Sequence, residues 1–167
     1  CQTFSGSWGY HRDETTWKSP EMLVQMLINT VSIGGNLLMN VGPTSRGYLD
    51  YRAEAALAAY AGWMKYNNRS IYGCTMAEPD LLPLCPNGCK FTQSEDGKRL
   101  YIHLFEYPFQ YLELPGFAGK VDYAQFLHDG SEVLFTEGGM QHFGEAVPKA
   151  DDLLVLELPP VKPDTLV

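Results

Sequence analysis

The sequence predicts an α/β fold followed by an all-β fold, and three observations support this prediction. Residues 1–75 contain a short apolar run with one helical pattern before it and one after it. Residues 76–167 contain short strand-like runs separated by turn residues. The content of 45% hydrophobic and 13% aromatic residues is sufficient for a packed core. We therefore expect two units, residues 1–75 and residues 76–167.

The first helix is predicted to begin at Pro20. Ser19 can cap it, Pro20 suits the first helical position, and Glu21 favours the positive end of the helix dipole. The residues that then recur at helical spacing are Leu23, Met26, Leu27, Thr30 and Val31. The pair Gly34 and Gly35 is expected to end the helix.

The next run, residues 36–41, is short, apolar and not alternating, which predicts a strand covered on both faces. Gly42 and Pro43 end it. A second helix, rich in alanine, is predicted at about residues 52–66. With a further strand near residues 3–4, this order is typical of parallel strands joined by helices.

The second half opens with a predicted hairpin, because Asp96 and Gly97 lie between the strand-like runs 90–93 and 100–105. The other strand candidates are residues 110–114, 121–127, 132–136 and 153–158. Their spacing of roughly 8–12 residues is typical of an antiparallel β-sandwich.

The charge pattern argues against a nucleic-acid partner, and the length of the apolar runs argues against a membrane partner. The formal net charge is −8, and the 12 basic residues are scattered, whereas a nucleic-acid-binding surface needs clustered cations. No apolar run reaches the roughly 20 residues of a membrane helix. We expect neither a nucleic-acid nor a membrane partner.

Cysteine spacing leaves one question open. Cys85 and Cys89 are the one close pair among four cysteines, and they can be a strained disulfide, two free thiols or half of a metal site. A zinc site needs two further ligands, and no second Cys/His pair has a suitable spacing. We expect no metal and no organic cofactor.

Two stretches resemble a known family. Residues 7–10 read Ser-Trp-Gly-Tyr, with Trp-Lys-Ser at 17–19, and residues 34–44 read Gly-Gly-Asn-Leu-Leu-Met-Asn-Val-Gly-Pro-Thr. Both are similar to signatures near the end of the catalytic barrel in family-29 α-L-fucosidases. Segments within 62–73 resemble the last barrel helix and its exit. The likeness covers residues 1–75, and the second half matches the family only in type.

The resemblance implies the last part of a (β/α)₈ barrel followed by a C-terminal antiparallel β-sandwich. It also implies a retaining hydrolase of terminal α-L-fucosyl linkages, which needs two carboxyl groups about 5–5.5 Å apart. In the family the nucleophile is an Asp on a middle barrel strand, and the usual acid/base is a Glu shortly before the position of Cys1.

Residues 1–75 can supply only about two of the eight units of a barrel, which takes roughly 250 residues. We therefore expect no catalytic residue in this chain and no activity from it alone. The expected partners are a fucosylated glycan or fucoside substrate and the missing N-terminal part of the barrel.

The expected substrate-binding residues are Trp17, Trp8 and His11. Trp8 and Trp17 follow a predicted strand end, on the side where barrel enzymes place their sites. In the family, aromatic residues from this region help to line the fucose pocket. His11 can bond a sugar hydroxyl. The alternatives are that the two tryptophans only pack the loop and that His11 is a surface residue.

Other polar residues of this region have structural interpretations. Asp13 and Glu14 are adjacent, and neighbouring acids rarely reach opposite faces of one bond, so we expect them to be solvated or capping residues. Asn36 and Asn40 share a strand face and are expected to bond within the barrel or to the next loop, with Asn40 nearer the site.

The rival interpretation is a non-catalytic carbohydrate-binding or structural β-sandwich, with residues 1–75 as a vestigial or partner-docking arm. The aromatic residues that could supply a sugar platform are Tyr101, Phe105, Tyr107, Phe109, Tyr111, Tyr123 and Phe126. They can equally form a sandwich core. His103, His128 and His142 are expected at the surface or at strand edges.

Overall fold

The computed structural model describes residues 1–138 and 151–167 of the chain. The elements are, in chain order, β1 (Gln2–Thr3), α1 (Pro20–Ser32), β2 (Met39–Asn40), α2 (Tyr51–Asn67), β3 (Cys74–Thr75), β4 (Cys89–Ser94), β5 (Leu100–Leu104), β6 (Tyr111–Pro115), β7 (Phe135–Glu137) and β8 (Leu153–Glu157). Single 3₁₀ turns lie at Asn68–Ser70 and Leu82–Leu84. Mixed α/β structure therefore precedes antiparallel sheets, as the sequence predicts.

The first half consists of β1, α1, β2 and α2, with the two strands parallel. Gln2 pairs with Met39 and Thr3 with Asn40. The hydroxyl of Ser19 accepts a hydrogen bond from the backbone N–H of Met22 at 3.2 Å, which confirms the predicted cap of α1. Both predicted helices are present.

The second strand is shorter than predicted, and it is not covered on both faces. Only Met39–Asn40 of the run 36–41 is a strand, and Leu38 is 68% exposed. Among the described residues β2 pairs with β1 alone, over two residues, and the exposure of Leu38 shows that no packed layer covers this end of the strand.

Two three-stranded antiparallel sheets form the second half, in the orders β3–β4–β5 and β6–β8–β7. The predicted hairpin is β4–β5. Its turn forms because the Asp96 carboxylate accepts from the Ser94 hydroxyl at 2.6 Å and from the Lys98 N–H at 3.1 Å. Gly97 supplies the required positive φ of 71°.

The predicted strand at 121–127 is wrong. The segment makes one isolated bridge, from Gln125 to Glu132. Its backbone folds back on itself, because Gly130 N–H donates to Phe126 O and Phe126 N–H to Ser131 O. These local bonds occupy groups that a neighbouring strand would need.

Three hydrophobic clusters hold the structure together. One lies between the antiparallel sheets and includes Phe91, Phe117 and Leu154. The other two both combine residues of α1 and α2. Leu23 joins a cluster with Phe4 and Ala56, and the remaining apolar face of α1 packs with α2 and the chain end in a cluster of Val24, Ile28, Val31, Trp63 and Ile71. Helix α1 also contacts β3 and β4.

Among the described residues, no helix combines the length and the apolar character that crossing a membrane requires.

A buried histidine joins the two halves. The sequence predicts His103 at the surface or at a strand edge: its strand β5 is at the edge of its sheet, but the side chain is buried and not at the surface. The residue is 6% exposed in β5, and its ring lies 6.4 Å from that of Trp63 in α2. Thr92 Oγ1 donates to Ser70 O at 2.7 Å, which leaves this oxygen to accept from His103 Nε2–H at 3.0 Å. His128 is half-buried beside Asp129, and His142 lies outside the described residues.

Burial makes this histidine sensitive to acid. It lowers the pKa of His103 from 6.5 to about 4, so the folded protein favours the neutral ring. The resulting stabilisation is complete above pH 6.5 and is lost as the pH falls towards 4. We expect His103 to reduce the free energy of unfolding by about 2 kcal/mol between pH 7.5 and 5.

Urea denaturation at the two pH values measures this change. The variant His103→Gln removes the titrating group and should lose about 2 kcal/mol less than the wild-type chain over the same interval. Equal losses in the two proteins would contradict the assignment.

Candidate functional site

A small cleft lies where the loops after β1 and β2 meet, at the carboxyl ends of the parallel strands. It is lined by Phe4, Ser5, Ser7, Gly9, Tyr10, His11, Glu14, Trp17, Asn40, Val41 and Gly42. The enclosed volume is about 10 Å³, which is room for about one water. The cleft by itself is therefore too small to hold a sugar.

The structure brings two of the three expected substrate-binding residues together. His11 and Trp17 both line the cleft, and Trp17 is half-buried. The Trp8 side chain is 61% exposed and lies outside the lining. Its backbone carbonyl is held by Asn40 Nδ2 at 2.5 Å. Asn40 thus both lines the cleft and bonds the loop after β1, whereas Asn36 precedes β2.

Glu14 organises the loop that carries His11 and Trp17. Its carboxylate accepts from the Ser7 hydroxyl at 2.6 Å, the Thr16 hydroxyl at 2.6 Å and the Thr16 N–H at 2.8 Å. These bonds, that from Ser7 first, lower the pKa of Glu14 from 4.5 to about 2. A carboxylate that stays ionised at neutral pH cannot donate a proton as a general acid. Asp13 is exposed and pairs with Arg12 at 3.1 Å.

Gly42 lets the two loops approach closely. A Cβ at this position would lie 2.5 Å from the carbonyl carbon of Gly9 and would also collide with the N–H of Tyr10. Only a residue without a side chain fits between these backbones. Lys18 secures the other end of the loop, since its ammonium donates to Thr3 O at 2.8 Å and Ser5 O at 3.1 Å.

Arg52, in the first turn of α2, links the helix to the same loop. It forms a bidentate pair with Asp50, with Nε–Oδ1 at 2.8 Å and Nη2–Oδ2 at 3.1 Å. It also donates to the backbone carbonyls of Glu14 and Arg12. Its guanidinium carbon lies 4.7 Å from the centre of the Trp17 ring. Pairing lowers the pKa of Asp50 and raises that of Arg52.

The likeness to known proteins agrees with this geometry. The α-L-fucosidase family model matches residues 1–69. The plasma α-L-fucosidase of Homo sapiens is 44% identical over 75 residues, which are 43% of this chain and 16% of that relative. The solved structure of α-L-fucosidase isoenzyme 1 from Paenibacillus thiaminolyticus covers 98% of this chain with 31% identity and a TM-score of 0.82. The family that residues 1–69 of this chain match is therefore that of the α-L-fucosidases.

The chain spans only part of its fucosidase relatives. It covers 16% of the human plasma protein and 36% of the Paenibacillus chain. A family-29 fucosidase from Bacteroides thetaiotaomicron, described as a trapped covalent intermediate with 2-fluoro-fucosyl fluoride, matches 98% of this chain and 35% of its own. Its TM-score is 0.75 at 22% identity, so this likeness shows the fold alone.

Sequence reasoning missed Arg52 and Tyr10 as residues of the cleft region. Asp50 followed two residues later by Arg52 indicates a helix start, because Asp is a good cap. The contact of Arg52 with a loop about forty residues earlier has no local signature. Tyr10 belongs to the matched motif and lines the cleft at 36% exposure.

The cysteines are unbonded, which answers the question left open by their spacing. All four are free thiols, including Cys85 and Cys89. Burial raises the pKa of Cys89 to about 11, so the thiol stays protonated at neutral pH. Among residues 1–138 and 151–167, no group of three His, Cys, Asp or Glu side chains could hold a metal ion.

The aromatic residues of the second half are divided between core and surface. Tyr107 and Phe126 pack against the cluster between the sheets, and Phe105 packs against the helical cluster. Phe109 and Tyr123 are 78% and 56% exposed.

The close approach at Gly42 gives a testable expectation for the cleft. Gly42→Ala should destabilise the chain by about 1–3 kcal/mol, because the added methyl forces the two loops apart. Gly9→Ala is the matched control, since a Cβ there meets no atom within 4 Å. Urea denaturation of both variants measures the difference, and equal stability would contradict the proposed contact.

The Glu14 bonds give a second expectation. The carboxyl of Glu14 should titrate at about pH 2, because three donated hydrogen bonds favour its ionised form. Carboxyl-carbon NMR of the chain measures this value directly, and Ser7→Ala should raise it by removing the largest contribution. Titration near 4.5 in the wild-type chain would disprove the assignment.

Proposed function

We propose that the chain forms the C-terminal part of a retaining α-L-fucosidase that hydrolyses terminal α-L-fucosyl linkages. In this proposal residues 1–75 complete a (β/α)₈ barrel, and residues 76–167 form a β-sandwich that supports it. The parallel pair β1–β2 with its helices, and the two antiparallel sheets after it, support this division. The likeness to the Paenibacillus enzyme over 98% of the chain supports it further.

The observation that carries the proposal is the convergence of His11 and Trp17 on one cleft beyond the ends of β1 and β2. Barrel enzymes build their sites from the loops at the carboxyl ends of the strands. His11 and Trp17 are not adjacent in the sequence. The course of the loop between β1 and α1 brings both of them to the cleft.

We assign each expected residue a role on this basis. The part of Trp17 that lines the cleft packs against the apolar surface and methyl group of the deoxy sugar. His11 bonds a sugar hydroxyl. Trp8, whose side chain is exposed next to the cleft-lining residues Ser7 and Gly9, reaches the sugar from the rim.

The catalytic carboxylates come, in this proposal, from the part of the family's length that the chain does not span. A retaining mechanism needs two carboxyl groups about 5–5.5 Å apart. Glu14 is the one acid that lines the described cleft, and its oxygens are occupied by loop hydrogen bonds. The chain covers only 36% of the Paenibacillus enzyme, which leaves ample length for both groups.

The exposed apolar residues beside β2 fit a docked remainder of the barrel. Leu38 and Ile33 are 68% and 74% exposed, which is costly for side chains of this type unless further structure covers them. The expected partners are therefore the rest of the barrel and a fucoside substrate, with no metal or organic cofactor in the chemistry.

Hydrolysis of an aryl α-L-fucoside tests the proposal. The purified 167-residue chain, with its intact mass checked, should show no turnover. The same chain joined to the upstream part of the Paenibacillus enzyme should hydrolyse the substrate. In the joined protein, Trp17→Ala should lower kcat/KM about tenfold or more by removing sugar contact.

Two controls make the test specific. The upstream part alone should be inactive, and Trp63→Phe, a change in the core and not in the cleft, should leave KM unchanged in the joined protein. Turnover by the 167-residue chain alone would show that acids within it build a catalytic site, contrary to the proposal.

A further inference from the structure

We propose that Arg52 is a positioning residue of the cleft: its guanidinium fixes the Trp17 ring and the loop around His11 against the start of α2. Its consequence for sugar binding rests on the proposed function, whereas the positioning itself does not. Arg52 lies outside the stretches that resemble the family's motifs.

Nearly all N–H donors of the guanidinium bond either Asp50 at the start of α2 or the loop around His11. Of its five N–H groups, four make hydrogen bonds: two to Asp50, one to Glu14 O at 3.0 Å and one to Arg12 O at 3.3 Å. The side chain is only 27% exposed. A planar fork can serve a carboxylate and two carbonyls at once, which the point charge of a lysine cannot do.

The contact with Trp17 adds a second constraint. The guanidinium carbon sits 4.7 Å above the ring centre, within the range of a cation–π interaction. Arg52 therefore covers one face of the indole and leaves the other face and the edges to the core and the cleft. The rotation of the indole about its side-chain bonds is limited by this contact.

Asp50 makes the anchor rigid. Its side chain is 9% exposed, and its Oδ1 accepts both from Arg52 Nε and from the backbone N–H of Arg52 at 3.0 Å. The carboxylate that caps α2 is thus the same one that orients the guanidinium. Asp50 fixes Arg52 to the helix start, and Arg52 fixes the loop to Asp50.

The loop that Arg52 holds is the loop that lines the cleft. The two carbonyls it binds, of Arg12 and Glu14, flank a segment that lies just after His11 and just before Trp17. Residues 10–13 are exposed, and the loop has no strand pairing of its own. Without Arg52, the link from this segment to α2 is lost, and His11 and Trp17 no longer share a fixed geometry.

Fluorine NMR of the 167-residue chain labelled with 5-fluorotryptophan tests the proposal. The three tryptophans give three resonances, assigned with Trp8→Phe and Trp17→Phe. Arg52→Gln should shift and broaden the Trp17 resonance and leave that of buried Trp63 in place. Arg52→Lys should fail to restore it, because lysine cannot form the fork. Arg46→Gln, in an exposed residue of the loop before α2, is the matched control and should change nothing.

Each outcome decides the proposal. An unmoved Trp17 resonance in Arg52→Gln, full recovery in Arg52→Lys, or an equal disturbance of all three tryptophans would overturn a specific positioning role. A change confined to Trp17 and the neighbouring loop supports it.

Addition of L-fucose separates this inference from the proposed function. If the wild-type Trp17 resonance responds saturably to the sugar, Arg52→Gln should raise Kd about tenfold or more. If the wild-type chain shows no response, the chain alone does not bind the sugar, and the kcat/KM of Trp17→Ala in the joined protein decides the proposed sugar contact. The comparison made without sugar still decides the role of Arg52.

Discussion

The burial of α1 in two hydrophobic clusters is the constraint on which the rest of the structure depends. Leu23 packs in a cluster with Phe4 and Ala56, while Val24 and Ile28 pack in a second cluster with Trp63, and all three residues of α1 are fully buried. The helix also contacts β4, so a single 13-residue element serves both halves of the chain. The two-residue parallel strands could not bury comparable apolar area by themselves, since an isolated pair of strands gives a marginal core.

The cleft follows from this arrangement, but polar bonds set its detailed shape. The strands only bring the two loops to one edge. Glu14 then closes the first loop on itself, Lys18 ties it to the end of β1, and Arg52 ties it to α2. Gly42 allows the second loop to come into contact with the first. Charged side chains in the cleft region thus bond mainly to the backbone.

Local signals predicted most of the fold and little of the cleft. The cap at Ser19, the spacing in α1 and the Asp96–Gly97 turn each specify structure within a few residues, and each is confirmed. Length and pattern failed at residues 121–127, where a turn around Gly130 competes with a strand. They also failed at His103, whose burial depends on Thr92 and on a helix far away in sequence. Contacts between residues so far apart in sequence produce no periodic pattern from which they could be predicted.

The double use of the Asp50 carboxylate also has an evolutionary consequence. Ser, Thr or Asn at position 50 would still begin a helix, so the capping requirement alone permits ready exchange. None of these residues offers two charged oxygens to Arg52. The pair with Arg52 therefore restricts position 50 more than the helix cap does. Substitutions at positions 50 and 52 should therefore be correlated among close relatives. A lineage that loses Arg52 keeps Asp50 only as a helix cap, whereas one that loses Asp50 leaves Arg52 without its charged partner.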